Sequence, residues 1–579
     1  MHLHRIISFA MIATSVSASI STSNHNLNGW YPCSEYTFSD EGSSIGQHAE
    51  CAVYSAPLCY PGICETPEGV NPEVDVFVKR LPATTGSSSN ASNVWLLQGG
   101  PGSSSTSLEA YMVMLHSQLE GTVNVYTMDH RGTGRSALLD CVAAQVTTTG
   151  SFFGAQIDPS EVQACAKDLE IKYGDLASFS VTTAATDLAT FISKYTNGGR
   201  TIVYGGSYGT IFAERLMHLA PPQVTGYVLD GVAATSGVRA DDFFYISKWD
   251  TNFGEVGDAF LELCEYDSDC KARFQSGGPS KTLQGLIEQF DNDPTSTCAA
   301  LVNGTQGLNT PSPSLGLRSV LGSALMDSYL RTFIPPVIYR LQRCSPQDYD
   351  VLAQFFTTIA TTSQAKTQDS AFESALLYSL IVYSEVWESP LPPMSELKAR
   401  ITEAKMSTEG GVYMLGPQYC AFSKEKSKSC DEFNVGNYDG NGIVYKRDQY
   451  WNKTATIPSQ ASVLLMSGKL DPQTPNKYAE SFLNRLNGEK KELIAFDYAS
   501  HGTIATTQMV AGDPGSQTCA MEVLASYVRN DGDLGRLDKS CIGEMPAFNL
   551  TIPEYYLTSY FATDEAYDGV FNSSLISSS

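Results

Sequence analysis

A serine held between glycines can serve as a nucleophile when the chain lifts it clear of its own backbone. Residues 201–210 read TIVYGGSYGT, with Gly205, Ser207 and Gly209 forming G-x-S-x-G after an apolar run and before a helix-like one. In that setting the motif is a nucleophile elbow. The turn is so tight that only Gly fits two positions either side of the serine, whose backbone is strained. The helix start beneath Ser207 favours negative charge developing there. The chemistry of such a serine is acyl transfer, which needs a base and a group to orient the base.

Only two histidines follow Ser207. His218 is 11 residues further on, which on a helix is about 16 Å. It is out of reach and reads as a helix-surface or packing residue. His501, in FDYASHGT, sits at a strand-to-helix loop and is the candidate base. Where an elbow supplies the serine, the chain order is Ser, acid, His. Asp471, in SVLLMSGKLDPQTP, stands just past a strand and 30 residues before His501. It would bond the imidazole and fix its tautomer. Asp230, ending the strand after the elbow helix, competes for that role. An oxyanion hole needs two aimed N–H groups, one normally from the residue after the nucleophile, here Tyr208. The other comes from a loop after an earlier strand, and QGGPG at residues 98–102 is such a loop.

The elements that must hold these residues alternate. Continuous apolar runs at residues 94–98, 123–129, 201–205, 226–232, 462–468 and 492–498 read as buried strands. Residues 182–195, 208–220 and 476–486 have helical spacing. Buried strands alternating with helices predict an α/β fold with a mostly parallel sheet covered on both faces. The pattern breaks over residues 236–455, which read as mostly helical and hence as an insertion between two strands. The expected organisation is a signal peptide over 1–18, a disulfide-tied N-terminal extension with some edge strands over 19–92, a core over 93–235 and 456–579, and the helical insertion between the two core parts.

The chain has 579 residues, 42% of them hydrophobic and 17% charged. That is too apolar for a disordered chain and ample for a large core. The net charge of −25 repels phosphate backbones and anionic membranes, so neither nucleic acid nor membrane is an expected partner. The opening MHLHRIISFAMIATSVSAS has the layout of a cleavable signal segment, with a cut near Ala18. The 14 cysteines form no C-x-x-C pair, which argues against zinc and thioredoxin-like chemistry. Cys59/Cys64, Cys264/Cys270 and Cys420/Cys430 read as local disulfide loops. N-x-S/T sequons occur at Asn90, Asn303, Asn452, Asn549 and Asn572. Together these features point to a secreted glycoprotein, extracellular or in a lysosome- or vacuole-like compartment. No metal-ligand spacing, dinucleotide loop or P-loop occurs, so no cofactor is expected.

These motifs resemble a known family. QGGPG is similar to the HGGPG loop of prolyl iminopeptidases, with Gln98 in place of His, and DHRGTGRS at 129–136 resembles their D-x-R-G-x-G-x-S segment. GGSYGT, SGKLDPQTP and SHGT resemble tripeptidyl aminopeptidases of the same alpha/beta-hydrolase group. The resemblance covers about residues 93–232 and 455–530. It implies an eight-stranded core with a helical cap after the sixth strand, and the N–H groups of Gly100 and Tyr208 as the oxyanion hole. It further implies an acidic cap residue that binds the substrate's free amine. Glu385, between Tyr383 and Trp387, resembles that position, with Glu388 as the fallback. Asp129 and Arg131 would brace the oxyanion loop by ion pairing rather than touch substrate.

The expectation is a secreted serine exopeptidase acting on peptide substrates, releasing proline or a tripeptide from a free N-terminus. The alternatives are a secreted carboxylesterase or lipase with the same triad, and a catalytically dead hydrolase fold that binds a partner.

Overall fold

Apolar runs too continuous for a half-wet strand form the centre of the molecule. β4 (Asn93–Leu97), β5 (Asn124–Asp129) and β8 (Ser462–Gly468) are buried at every position. They belong to one sheet with β1 (Tyr31–Cys33), β2 (Ala49–Pro57), β3 (Glu73–Leu81), β6 (Thr201–Gly206), β7 (Val224–Asp230) and β9 (Lys491–Phe496). The computed structural model describes residues 26–38, 42, 48–146, 157–274, 276–304, 312–364, 367–408 and 411–576. The expected signal segment, 1–18, lies outside the described residues.

The strand order is β1-β2-β3-β5-β4-β6-β7-β8-β9. The six strands from β5 to β9 pair in parallel, while β1, β2 and β3 join them by antiparallel ladders. Alternate side chains of β4 sort to opposite faces. Trp95 and Leu97 pack toward the helices Val181–Tyr195 and Tyr208–Leu219, and Val94 and Leu96 toward Glu109–Gln118 and Cys519–Arg529. The fold is the expected alpha/beta-hydrolase sheet of eight strands, with a three-residue ninth strand, β1, on its edge.

The edge strands expected in the N-terminal extension are β1, β2 and β3, which pair into the main sheet. They stand apart from the continuous apolar runs because β2 alternates buried and half-buried positions, as a strand in an antiparallel ladder does. The C-terminal part, 456–579, is not all core. Leu550, Ile552 and Phe561 pack into the hydrophobic cluster of the cap, beside Phe333 and Phe355. The insertion itself runs between β7 and β8 and, among its described residues, contains helices and no strand.

All 14 cysteines pair, as Cys33–Cys51, Cys59–Cys64, Cys141–Cys165, Cys264–Cys270, Cys298–Cys344, Cys420–Cys430 and Cys519–Cys541. The three expected local loops are among them. No helix among the described residues is long and apolar enough to cross a membrane.

Candidate active site

Ser207 closes β6 and opens the helix Tyr208–Leu219 with φ +54° and ψ −122°, a conformation that costs energy for any residue with a Cβ. The flanking glycines are sterically required. A Cβ on Gly205 would lie 2.1 Å from the Gly209 carbonyl oxygen, and one on Gly209 2.5 Å from the Leu97 carbonyl oxygen. The turn is pinned from below by Ser207 N–H donating to the Asp230 carbonyl at 2.8 Å.

The QGGPG loop lies directly against the serine. A Cβ on Gly99 would fall 3.0 Å from Ser207 Cβ and 3.6 Å from Oγ. Gly100, with φ +110°, turns the loop back. Gln98 donates its side-chain N–H to Ser107 Oγ and so ties the loop to the next turn. Asp129 holds that turn by accepting from Ser105 N and Ser105 Oγ, both at 2.7 Å. Burial opposes ionisation of Asp129, but Arg135 at 2.7 Å and the hydrogen bonds outweigh it and keep the carboxyl below its ordinary range. Arg131 departs from the expected bracing of this loop. It pairs instead with Asp187 at 2.6 Å and donates to the Pro57, Leu58 and Ser178 carbonyls, tying the end of β2 to the helix Val181–Tyr195.

On the far side of the elbow, β8 and β9 deliver Asp471 and His501. Asp471 is fully buried and accepts from His501 Nδ1 at 2.8 Å. Its other bonds come from Thr474 Oγ1 at 2.6 Å and from the backbone N–H groups of Gln473 and Thr474 at 2.9 Å. Burial favours the neutral acid, yet the imidazole and these donors outweigh it, so Asp471 is held below the usual carboxylate value. Burial lowers His501, but the Asp471 carboxylate more than compensates and its pKa is raised. With Nδ1 engaged, Nε2 is the ring nitrogen left for a hydroxyl. Gly231 closes the pocket behind the ring, its backbone packed so that a Cβ would sit 3.2 Å from His501 Cε1.

Asp230 is not at the imidazole nitrogen. Its carboxylate accepts from Tyr204 Oη at 2.9 Å, Thr503 N at 2.9 Å, Thr503 Oγ1 at 2.8 Å and Ile504 N at 3.1 Å. His218 lies elsewhere, 2.7 Å from Glu214 and stacked on Tyr450. Glu385 ends the helix Ala375–Glu385, which starts over the QGGPG loop with Ser374 N–H donating to the Gly102 carbonyl at 2.9 Å. Its carboxylate is buried, accepts from Tyr445 Oη at 3.0 Å and lies 3.4 Å from Arg215 of the elbow helix. Tyr208, also near Glu385, has a buried hydroxyl without a hydrogen-bond partner, and burial followed by that carboxylate pushes its pKa up. Glu388 is committed within the cap, to Arg400 and Ser247 at 2.6 Å.

Sequence reasoning passed over Thr474, Arg215 and Tyr445. Thr474 stands in the SGKLDPQTP motif already quoted, and Arg215 is a charged residue on an otherwise apolar helix, so both had a signal; Tyr445 had none. Among the described residues no group of His, Cys, Asp and Glu could hold a metal ion.

Residues 441–541 match the family model described as TAP-like protein, a span that contains Asp471 and His501 and starts inside the insertion expected over 236–455. The chain is also similar to solved hydrolases. An esterase from Exiguobacterium antarcticum is 12% identical, with 75% of this chain and 90% of that one covered and a TM-score of 0.26. Mouse alpha/beta hydrolase domain-containing protein 10 is 11% identical over 80% and 96%, with a TM-score of 0.28. A lipase in open form is 12% identical over 79% and 96%, with a TM-score of 0.31. Among curated proteins no relative matches. With this strand order and a strained serine between β6 and its helix, the chain has the alpha/beta-hydrolase fold, and its residues 441–541 are similar to the TAP-like family.

Proposed function

We propose that this hydrolase is a secreted serine exopeptidase that cleaves peptides from a free N-terminus. The observation that carries the hydrolytic part is the Asp471–His501 couple at 2.8 Å, which packs on Gly231, next in the chain to the Asp230 carbonyl that receives the N–H of the strained Ser207. Ser207 Oγ attacks the scissile carbonyl while His501 Nε2 takes its proton. The N–H groups of Gly100 and Tyr208 hold the resulting oxyanion. Asp471 keeps the imidazole in place and stabilises the imidazolium. The proton then passes to the leaving amine, the C–N bond breaks and an ester to Ser207 remains. Water, giving its proton to His501, attacks that ester and releases the acid and free Ser207.

Support for a peptide substrate comes from charge. Glu385, Glu214 and Asp448 lie 3.4, 3.9 and 3.4 Å from one guanidinium, that of Arg215. Three carboxylates around a single cation leave a negative surplus, which suits the ammonium of an N-terminus in a dry site. Glu385, below Tyr208, is the residue proposed to meet that amine. Secretion is supported by the seven disulfides and by exposed sequon asparagines at 90, 303, 549 and 572. The esterase reading draws on one observation, that Arg215 already pairs with Glu385.

A panel of fluorogenic substrates separates the two. It holds Pro-, Ala- and Ala-Ala-Pro-amides with free amines, their N-acetylated forms and a butyrate ester, each run with the parent and with Ser207→Ala. Cleavage of the free-amine amides alone, lost in the variant, supports the exopeptidase and gives its step length. Equal cleavage of the blocked amides, or turnover of the ester alone, sinks the amine-anchor reading and favours the esterase.

A further inference from the structure

One buried carboxylate beside the site is unused by the mechanism. Asp230 is fully buried, and its four hydrogen-bond donors are the neutral groups of Tyr204, Thr503 and Ile504. Burial raises the Asp230 pKa and these four donors oppose it, so the anion depends on their bonds. Two of them come from Thr503, two residues past His501, and a third from the next backbone N–H. The main chain of the same residue points the other way along the site. Its carbonyl receives Ser207 N–H at 2.8 Å, and the following Gly231 donates to the Met466 carbonyl at 3.1 Å on β8, the strand that leads to Asp471. Gly231 also backs the imidazole, as the 3.2 Å approach to Cε1 shows. The end of β7 therefore touches the nucleophile turn, the base's loop and the acid's strand at once.

We infer that Asp230 is a positioning residue that sets His501 over Ser207 by gripping the turn at residues 503–504, and whose negative charge also favours the imidazolium. The inference rests on Ser207, His501 and Asp471 acting as the triad. The charged and titratable groups around the pair are Asp471 on the β8 side, Tyr204 on β6, Tyr111 on the helix Glu109–Gln118, and Arg331 of the cap, which donates to the Tyr498 carbonyl at 2.5 Å. Of these, Asp471 and Asp230 act on His501 in the same direction.

The test reads the chemistry of Ser207 without assuming a substrate. A fluorophosphonate probe phosphonylates the serine, with fluoride leaving and His501 taking the proton. Its second-order rate constant is measured against pH for the parent, Asp230→Asn, Thr503→Val and Ser207→Ala. Asp230→Asn keeps the shape but removes the charge and one acceptor. The expected result is a rate loss of roughly 10²-fold, the scale of a misplaced catalytic group, with the acid limb moved to lower pH. Thr503→Val removes one bond and leaves the charge, so a severalfold loss is expected with the limb in place. A folded Asp230→Asn with the parent's rate, or with its acid limb unmoved, overturns the inference. Should Asp230→Asn fail to fold, Thr503→Val decides, and the parent's rate there overturns the inference. Labelling that survives in Ser207→Ala would instead overturn the triad reading itself.

Discussion

At the scale of single residues, the site turns on how one carboxylate treats one imidazole. A base works only unprotonated, and the Asp471 anion 2.8 Å away favours the protonated ring, so the His501 pKa lies above its ordinary 6.5. Activity is therefore expected to fall as pH drops through that raised value. Asp471→Asn removes the charge and the acceptor that fixes the tautomer. Its kcat should drop on the order of 10⁴-fold, and its remaining activity should keep its acid limb to lower pH than the parent's. Stopped-time assays across pH 5–9 (roughly the imidazole's range) check both, and an unchanged limb would contradict the pairing. The motifs gave these residues away because each carries its own local constraint. G-x-S-x-G is dictated by the clashes at Gly205 and Gly209, and His501 was reached by elimination among few histidines. Asp230 and Asp471 both end strands, and only the hydrogen bonds distinguish the residue that meets the ring from the one that holds its loop.

At the scale of elements, buried ion pairs lock the pieces that carry the site. Arg131 and Asp187 are both fully buried and tie the D-x-R-G-x-G-x-S segment to the helix Val181–Tyr195. Asp187→Ala would strand the guanidinium among carbonyls, and breaking one partner of such a pair costs about 3–5 kcal/mol. A thermal melt should show a clearly lowered midpoint, with the residual folded protein still labelled at Ser207. A melt like the parent's would show that the pair carries no net stability. The central strands and their helices were legible because burial on both faces leaves an unbroken apolar run. β2 and β3 were legible only as edge strands without bounds, because strands of an antiparallel ladder show half-buried positions and sit among cysteine-rich loops.

At the scale of the whole molecule, the chain end fastens the cap. Arg340 donates to the Glu565, Ala566 and Gly569 carbonyls, and Phe561 is buried between Phe333 and Phe355. Phe561→Ala should cost about 3–5 kcal/mol through the lost burial and the cavity left. Hydrogen exchange is expected to speed up in the helices Ile334–Arg343 and Pro346–Gln364 while the sheet strands stay protected. Uniform exchange throughout the chain would show that cap and core unfold together. The sequence by itself determined what short-range constraint can write: the elbow, the alternation of strands and helices, the helical insertion, the local disulfide loops and the residues proposed as serine, acid and base. Tertiary structure alone decided the partners of groups far apart in the chain, such as Arg215 with Glu385, Asp230 with Thr503, Cys298 with Cys344, and the C-terminal helix with the cap. The reason is physical. Periodicity and turn chemistry act over a few residues, whereas a buried charge or ring is satisfied by whichever group packing brings within about 3–4 Å.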